Sequence, residues 1–205
     1  MRPGKFPYIF IIFIIPFLLG VGILAYWYWT VRIEKKSLLP EFGSVPEFSL
    51  TTESNSPFSR TQLLGKVTIA DFIFTQCAGS CPVMTMKMGE LQDTFKFAPE
   101  LEFVSFSVDP ETDTPAVLRE YASNHNAISG KWFFLTGQKK IIYDLTKQGF
   151  HLGLDIEGEN AIIHSQKIVL IDGKGTIRGY YDSDDENAMK GLIHDARILI
   201  GKIES

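Results

Sequence analysis

No part of the chain narrows its fold as far as Val67-Thr68-Ile69-Ala70-Asp71-Phe72-Ile73-Phe74. This run of β-formers carries apolar side chains on both faces, the pattern of a central strand covered on both sides. It leads into Thr75-Gln76-Cys77-Ala78-Gly79-Ser80-Cys81-Pro82, which holds both cysteines of the chain. Behind the proline, Met84, Met88, Leu91 and Phe95 repeat at helical spacing and form an apolar stripe. Proline is tolerated in a helix's first turn, so the helix is expected to start near Ser80 or Cys81, with Cys77 in the loop before it.

The alternation continues. Leu101 to Val108 reads as a second strand, followed by the loop Asp109-Pro110-Glu111-Thr112-Asp113-Thr114-Pro115. Thr114 and Pro115 suit the N-cap and first position of a helix burying Val117, Leu118, Tyr121 and Ala122. Lys131 to Leu135 is a third strand, and Gln138 to Gly149 a third helix with Ile141, Ile142 and Leu145 inward. Upstream, Glu47 to Thr51 alternates like a strand, with Phe58, Leu63 and Leu64 as a small apolar anchor after it. Gln166 to Ile171, the turn Asp172-Gly173-Lys174-Gly175 and Thr176 to Tyr180 predict an antiparallel hairpin. A last helix from about Asp184 carries Met189, Leu192, Ile193, Ala196, Leu199 and Ile200 at 3–4 spacing. Strands alternating with helices predict a largely parallel sheet covered on both faces.

Phe6 to Trp29 has no charged residue and is about as long as a bilayer-spanning helix. Tyr26, Trp27, Tyr28 and Trp29 crowd its end, as aromatic rings do at a membrane interface. A cleaved signal peptide is the rival reading, but the run is long for one and no small-x-small cleavage site precedes a clear mature start. The expected organisation is a membrane anchor with short flanks over 1–36, a linker over 37–46 and one α/β domain over 47–205. Basic residues on both sides of the anchor leave its orientation undecided by charge. The lack of an Arg/Ser-rich amphipathic leader argues for a bacterial protein rather than an imported mitochondrial one. A formal net charge of −4 offers no basic stripe, which sets nucleic-acid binding aside.

A domain of this size supports its core without disulfide staples, so two cysteines are not a framework. Two thiols separated by three residues can ligate a soft metal or close into a disulfide, and a helix N-terminus favours the thiolate in either role.

Three motifs carry a resemblance: Phe74-Thr75-x-Cys77-x-x-x-Cys81-Pro82, Val108-Asp109-Pro110-x-x-Asp113-Thr114-Pro115, and His164-Ser165 entering a strand that ends Leu170-Ile171-Asp172-x-x-Gly175. In order and spacing they resemble the Sco/SenC family, over about residues 46–201. The resemblance implies a thioredoxin-like, peroxiredoxin-type domain with a central mixed sheet behind an N-terminal transmembrane helix. It also implies a copper protein, periplasmic in bacteria, that helps build the binuclear copper centre of cytochrome c oxidase subunit II or of another copper-receiving oxidase. By motif match the copper ligands, for Cu(I), Cu(II) or both, fall on Cys77, Cys81 and His164. The chain departs from ordinary thioredoxin-like oxidoreductases in its three-residue spacer and in having no proline after Pro115, hence no cis-proline before the hairpin.

Two thiolates and an imidazole suit copper by softness, whereas structural zinc normally takes four protein ligands. Met84 and Met88 belong to the core stripe and are left out of the site, as are Met86 and the unsupported His125, His151 and His194. Asp109 either orders its own loop or acts beside the metal or in partner docking, and Asp71 reads as a satisfied buried carboxylate. Two functions follow: a metallochaperone, which turns over no substrate, or a thiol-disulfide oxidoreductase with Cys77 and Cys81 as its redox thiols.

Overall fold

The structure, a computed structural model, describes residues 14–28, 39–76, 81–151 and 166–203. The chain divides into two compact units, Met1–Leu39 and Pro40–Ser205. In the first, residues 14–28 form a helix, α1, of Ile, Phe, Leu, Val, Gly and aromatics. Both ends of the apolar run lie outside the described residues, and no described helix is long and apolar enough to cross a membrane.

Among the described residues, the second unit is one seven-stranded mixed sheet with helices against it. Its strands are β1 (Ser49–Thr52), β2 (Pro57–Ser59), β3 (Val67–Ile73), β4 (Leu101–Ser107), β5 (Trp132–Thr136), β6 (Lys167–Ile171) and β7 (Ile177–Asp182). Across the sheet they run β2-β1-β5-β4-β3-β6-β7. β3, β4 and β5 are parallel, and the hairpins β1–β2 and β6–β7 flank them antiparallel. The helices are the single turn α2 (Arg60–Leu63), α3 (Cys81–Thr94), α4 (Pro115–Asn124), α5 (Lys139–Asp144) and α6 (Glu186–Ile203).

β3 is buried at every residue, as its two-faced apolar pattern requires. Ala70 and Phe72 point to one face, where Val104, Phe106, Phe48, Phe58 and Phe150 join them in a core. Its aromatic rings meet at centroid distances of 5.1 Å for both Phe72–Phe106 and Phe72–Phe150. On the opposite face, where Ile69, Asp71 and Ile73 alternate, the stripe of α3 is buried as expected, including Met84 and Met88. Met86 is 54% exposed.

Several elements differ from the sequence reading. Phe58 lies in a short strand, β2, opposite Leu50, because Thr52 closes the intervening turn through its hydroxyl, which accepts from Ser56 N. Residues 42–45, read as linker, lie along the start of β7: Phe42 N donates to Ile177 O, Ile177 N to Gly43 O, and Val45 N to Gly175 O, at 2.8–2.9 Å. In α4, Leu118 and Ala122 are buried, but Val117 is 36% exposed, one step off the inward stripe. Ile193 and Ile200 of α6 are half-buried, whereas Met189, Leu192, Ala196 and Leu199 are buried. The third helix turns from α into a π turn at Leu145–Gly149.

Candidate functional site

β3 and β4 end side by side, with Ile73 opposite Ser107, and the segments leaving them define one end of the sheet. Open α/β sheets place their sites outside the carboxyl ends of such strands. After β3 come Phe74, Thr75 and Gln76, and α3 begins at Cys81 with Pro82 in its first turn. Of the sequence-predicted ligands, Cys77 and His164 lie outside the described residues, and Cys81 is described as the first residue of α3. Asp109 sits half-buried in the loop after β4.

Asp109 orders that loop through its backbone. Its carbonyl accepts from Thr112 N at 3.2 Å and Asp113 N at 2.8 Å, and its own N–H donates to Ser107 Oγ at 3.1 Å. The carboxylate that bridges the two strand exits belongs to Asp113. It is 0% exposed and accepts from Thr75 Oγ1 at 2.5 Å, from Ser107 Oγ at 2.6 Å, and from the Thr75 backbone N–H at 3.3 Å to each oxygen. A buried carboxylate is tolerated where such donors replace its lost water. The next residue, Thr114, caps α4, its side chain accepting from Val117 N. The sequence reading singled out Asp109 and gave Asp113 no role. The one hint was an aspartate beside a helix cap in a loop that follows a buried strand.

Asp71, one turn of the pleat below this site, faces Ser105 across the β3–β4 register and is wholly buried. Among the described residues neither carboxylate oxygen has a hydrogen-bond partner, which corrects the expectation of a satisfied carboxylate. Burial pushes its carboxyl up to about 7, against smaller opposing effects of the Ser105 hydroxyl and the Asp71 backbone. The Ser105 oxygen accepts from Trp132 Nε1 at 2.9 Å.

The other candidates separate cleanly. His125 ends α4, with Nδ1 2.9 Å from Tyr121 O and its ring 4.2 Å from that of Tyr121, which is a packing role. His194 and His151 are exposed.

Three central parallel strands, an antiparallel hairpin beside the first of them, and a cysteine pair between that strand and its helix define a thioredoxin-like protein. Residues 39–196 match the family described as SCO1/SenC, and the chain belongs to it. The SCO1 protein homolog of Bacillus subtilis (strain 168) is 33% identical over 156 residues, 75% of this chain and 81% of that protein. A Stutzerimonas stutzeri protein named for copper binding is 31% identical over 151 residues, 70% of this chain and 71% of that one. Among solved structures, BsSco, described as a Sco-family cytochrome c oxidase assembly protein with a disulfide switch, superposes with a TM-score of 0.71 at 28% identity, covering 80% of this chain and 98% of that one.

Proposed function

We propose that this protein is a membrane-tethered copper carrier that delivers copper to the binuclear site of cytochrome c oxidase subunit II. Copper is its cargo, held by the thiolates of Cys77 and Cys81 and the imidazole of His164. The observation that carries this reading is the position of the Cys-x-x-x-Cys turn, between a wholly buried central strand and the start of α3, in a SCO1/SenC chain. Backbone N–H groups at a helix start favour anionic ligands, and a soft two-sulfur, one-nitrogen set suits Cu(I) and also holds Cu(II). The copper-binding name of one relative and the oxidase-assembly description of another support the same assignment. Release proceeds by ligand exchange, the recipient's cysteines and histidines replacing the donors one at a time.

The apolar run Phe6 to Trp29 anchors the chain in the bacterial inner membrane, with residues 40–205 on the periplasmic side. Near-stoichiometric copper binding by the reduced protein is expected, strongly weakened by His164→Ala. An unchanged affinity and absorption spectrum in that variant would exclude His164 as a ligand.

The disulfide switch of the BsSco relative favours a second reading, in which Cys77 and Cys81 reduce a partner's disulfide. One thiolate attacks a partner sulfur to form a mixed disulfide, and the second then displaces it. Two electrons pass to the partner, whose two sulfurs leave as thiolates and take up protons from water, and a Cys77–Cys81 disulfide remains. This reaction requires both cysteines and not His164, so metal-free His164→Ala protein that still reduces a partner disulfide supports it, and inactive protein refutes it.

A further inference from the structure

The geometry points to Asp113, acting through Thr75, as the positioning residue for Cys77. This inference rests on the proposed role of the cysteine pair and adds the part of the fold that sets where the first cysteine stands. The cysteine turn has two ends. One is the start of α3 at Cys81, fixed by the buried stripe of that helix. The other is Thr75, two residues before Cys77 and past the last ladder residue, Ile73. Two residues of backbone reach at most about 7 Å, so whatever fixes Thr75 acts close to the start of the cysteine segment.

Thr75 is held by the Asp113 side chain: its N–H and its hydroxyl both donate to that carboxylate. The carboxylate is itself tied down: Ser107 Oγ donates to it, Ser107 Oγ accepts from Asp109 N, and Asp113 N donates to Asp109 O. The exit of β3, the exit of β4 and the start of α4 therefore meet at one buried carboxyl group. Outer groups orient metal ligands through hydrogen bonds to those ligands, and here the bonds are made two residues before one of the proposed ligands. This arrangement also gives the loop Asp109–Pro115 a part in the site through Asp113.

The test uses the full chain in detergent, reduced anaerobically, with Thr75→Val, Thr75→Ser and Asp113→Asn. Valine keeps the shape of threonine and lacks the hydroxyl donor, whereas serine keeps the donor. Cu(I) affinity is read by competition with a chromophoric chelator. The midpoint of Cys77–Cys81 oxidation is read without metal in thiol-disulfide buffers, and folding by circular dichroism. Thr75→Val is expected to weaken Cu(I) binding by about tenfold or more, the effect typical of a lost outer-shell hydrogen bond. It is also expected to move the redox midpoint, while Thr75→Ser stays close to the native chain in both. Asp113→Asn, which keeps only one acceptor oxygen, should shift both readouts in the direction of Thr75→Val, and it replaces Thr75→Val if that chain fails to fold. Native affinity and midpoint in a folded Thr75→Val or Asp113→Asn chain would overturn the inference, as would a Thr75→Ser chain as impaired as Thr75→Val. If the native chain binds no Cu(I), the copper reading fails by itself, and the metal-free midpoint still decides the role of Asp113.

Discussion

Asp71 shows how a single residue inside the sheet links pH to stability. Its carboxyl is pushed up from 3.8 to about 7 by burial. In the unfolded chain the same group ionises near its ordinary value. Between these two values the native state holds a proton that the unfolded state has lost, so stability falls as pH rises from about 4 to about 7 and levels off above that. The offset corresponds to at most about 4 kcal/mol. Asp71→Asn, which mimics the protonated acid, is expected to exceed the native protein's stability by about 1–3 kcal/mol at pH 8 and to match it near pH 4. Urea unfolding of the metal-free reduced protein at both pH values checks this, and a difference that does not vary with pH would contradict it. The contrast with Asp113 is instructive. Both are wholly buried aspartates, but Asp113 has donors from Thr75 and Ser107 and Asp71 has none among the described residues. The sequence shows two aspartates near strands. Which of them is satisfied depends on side chains contributed by other elements, 38 residues away for Thr75 and Asp113.

Among the elements, the third helix departs furthest from its sequence pattern. The 3–4 spacing of Ile141, Ile142 and Leu145 reads as one helix, yet after Asp144 the chain widens into a π turn. Thr146 Oγ1 donates to Ile142 O at 2.7 Å, a side-chain bond that competes for a helix carbonyl. The turn brings Gly149 against Pro46, so that a Cβ added there would lie 2.6 Å from Pro46 Cδ. Gly149→Ala is therefore expected to cost about 1–3 kcal/mol through overpacking. Pro46→Ala in the same chain should recover part of that loss, a coupling that thermal melts of the two single variants and the double variant would measure. Strand β2 and the pairing of residues 42–45 with β7 also escape the sequence pattern. Each is too short to carry a period of its own and exists because a neighbouring strand offers it hydrogen bonds.

For the whole molecule, the two units behave as an apolar segment and a domain with its own core. If Phe6 to Trp29 is an anchor, the full chain should remain in the membrane fraction after an alkaline carbonate wash, and a chain starting at Pro40 should be recovered in the soluble fraction. Recovery of the uncleaved full chain in the supernatant would count against the anchor. Much of the fold is legible without coordinates, because β3 is apolar on both faces, α3 has a clean stripe, Thr114-Pro115 caps a helix and the Asp172–Gly175 turn joins two strands. These signals are local and periodic, so they survive in one dimension. The cysteine pair and its place between strand and helix are equally local, and the sequence by itself determined both. Only the tertiary structure decided that Asp113 bridges Thr75 and Ser107 at the two strand exits, that Asp71 has no hydrogen-bond partner among the described residues, and that the supposed linker closes on β7. The physical reason is common to all three: a hydrogen bond between distant segments depends on where the packed sheet brings them, and no periodicity along the chain records that.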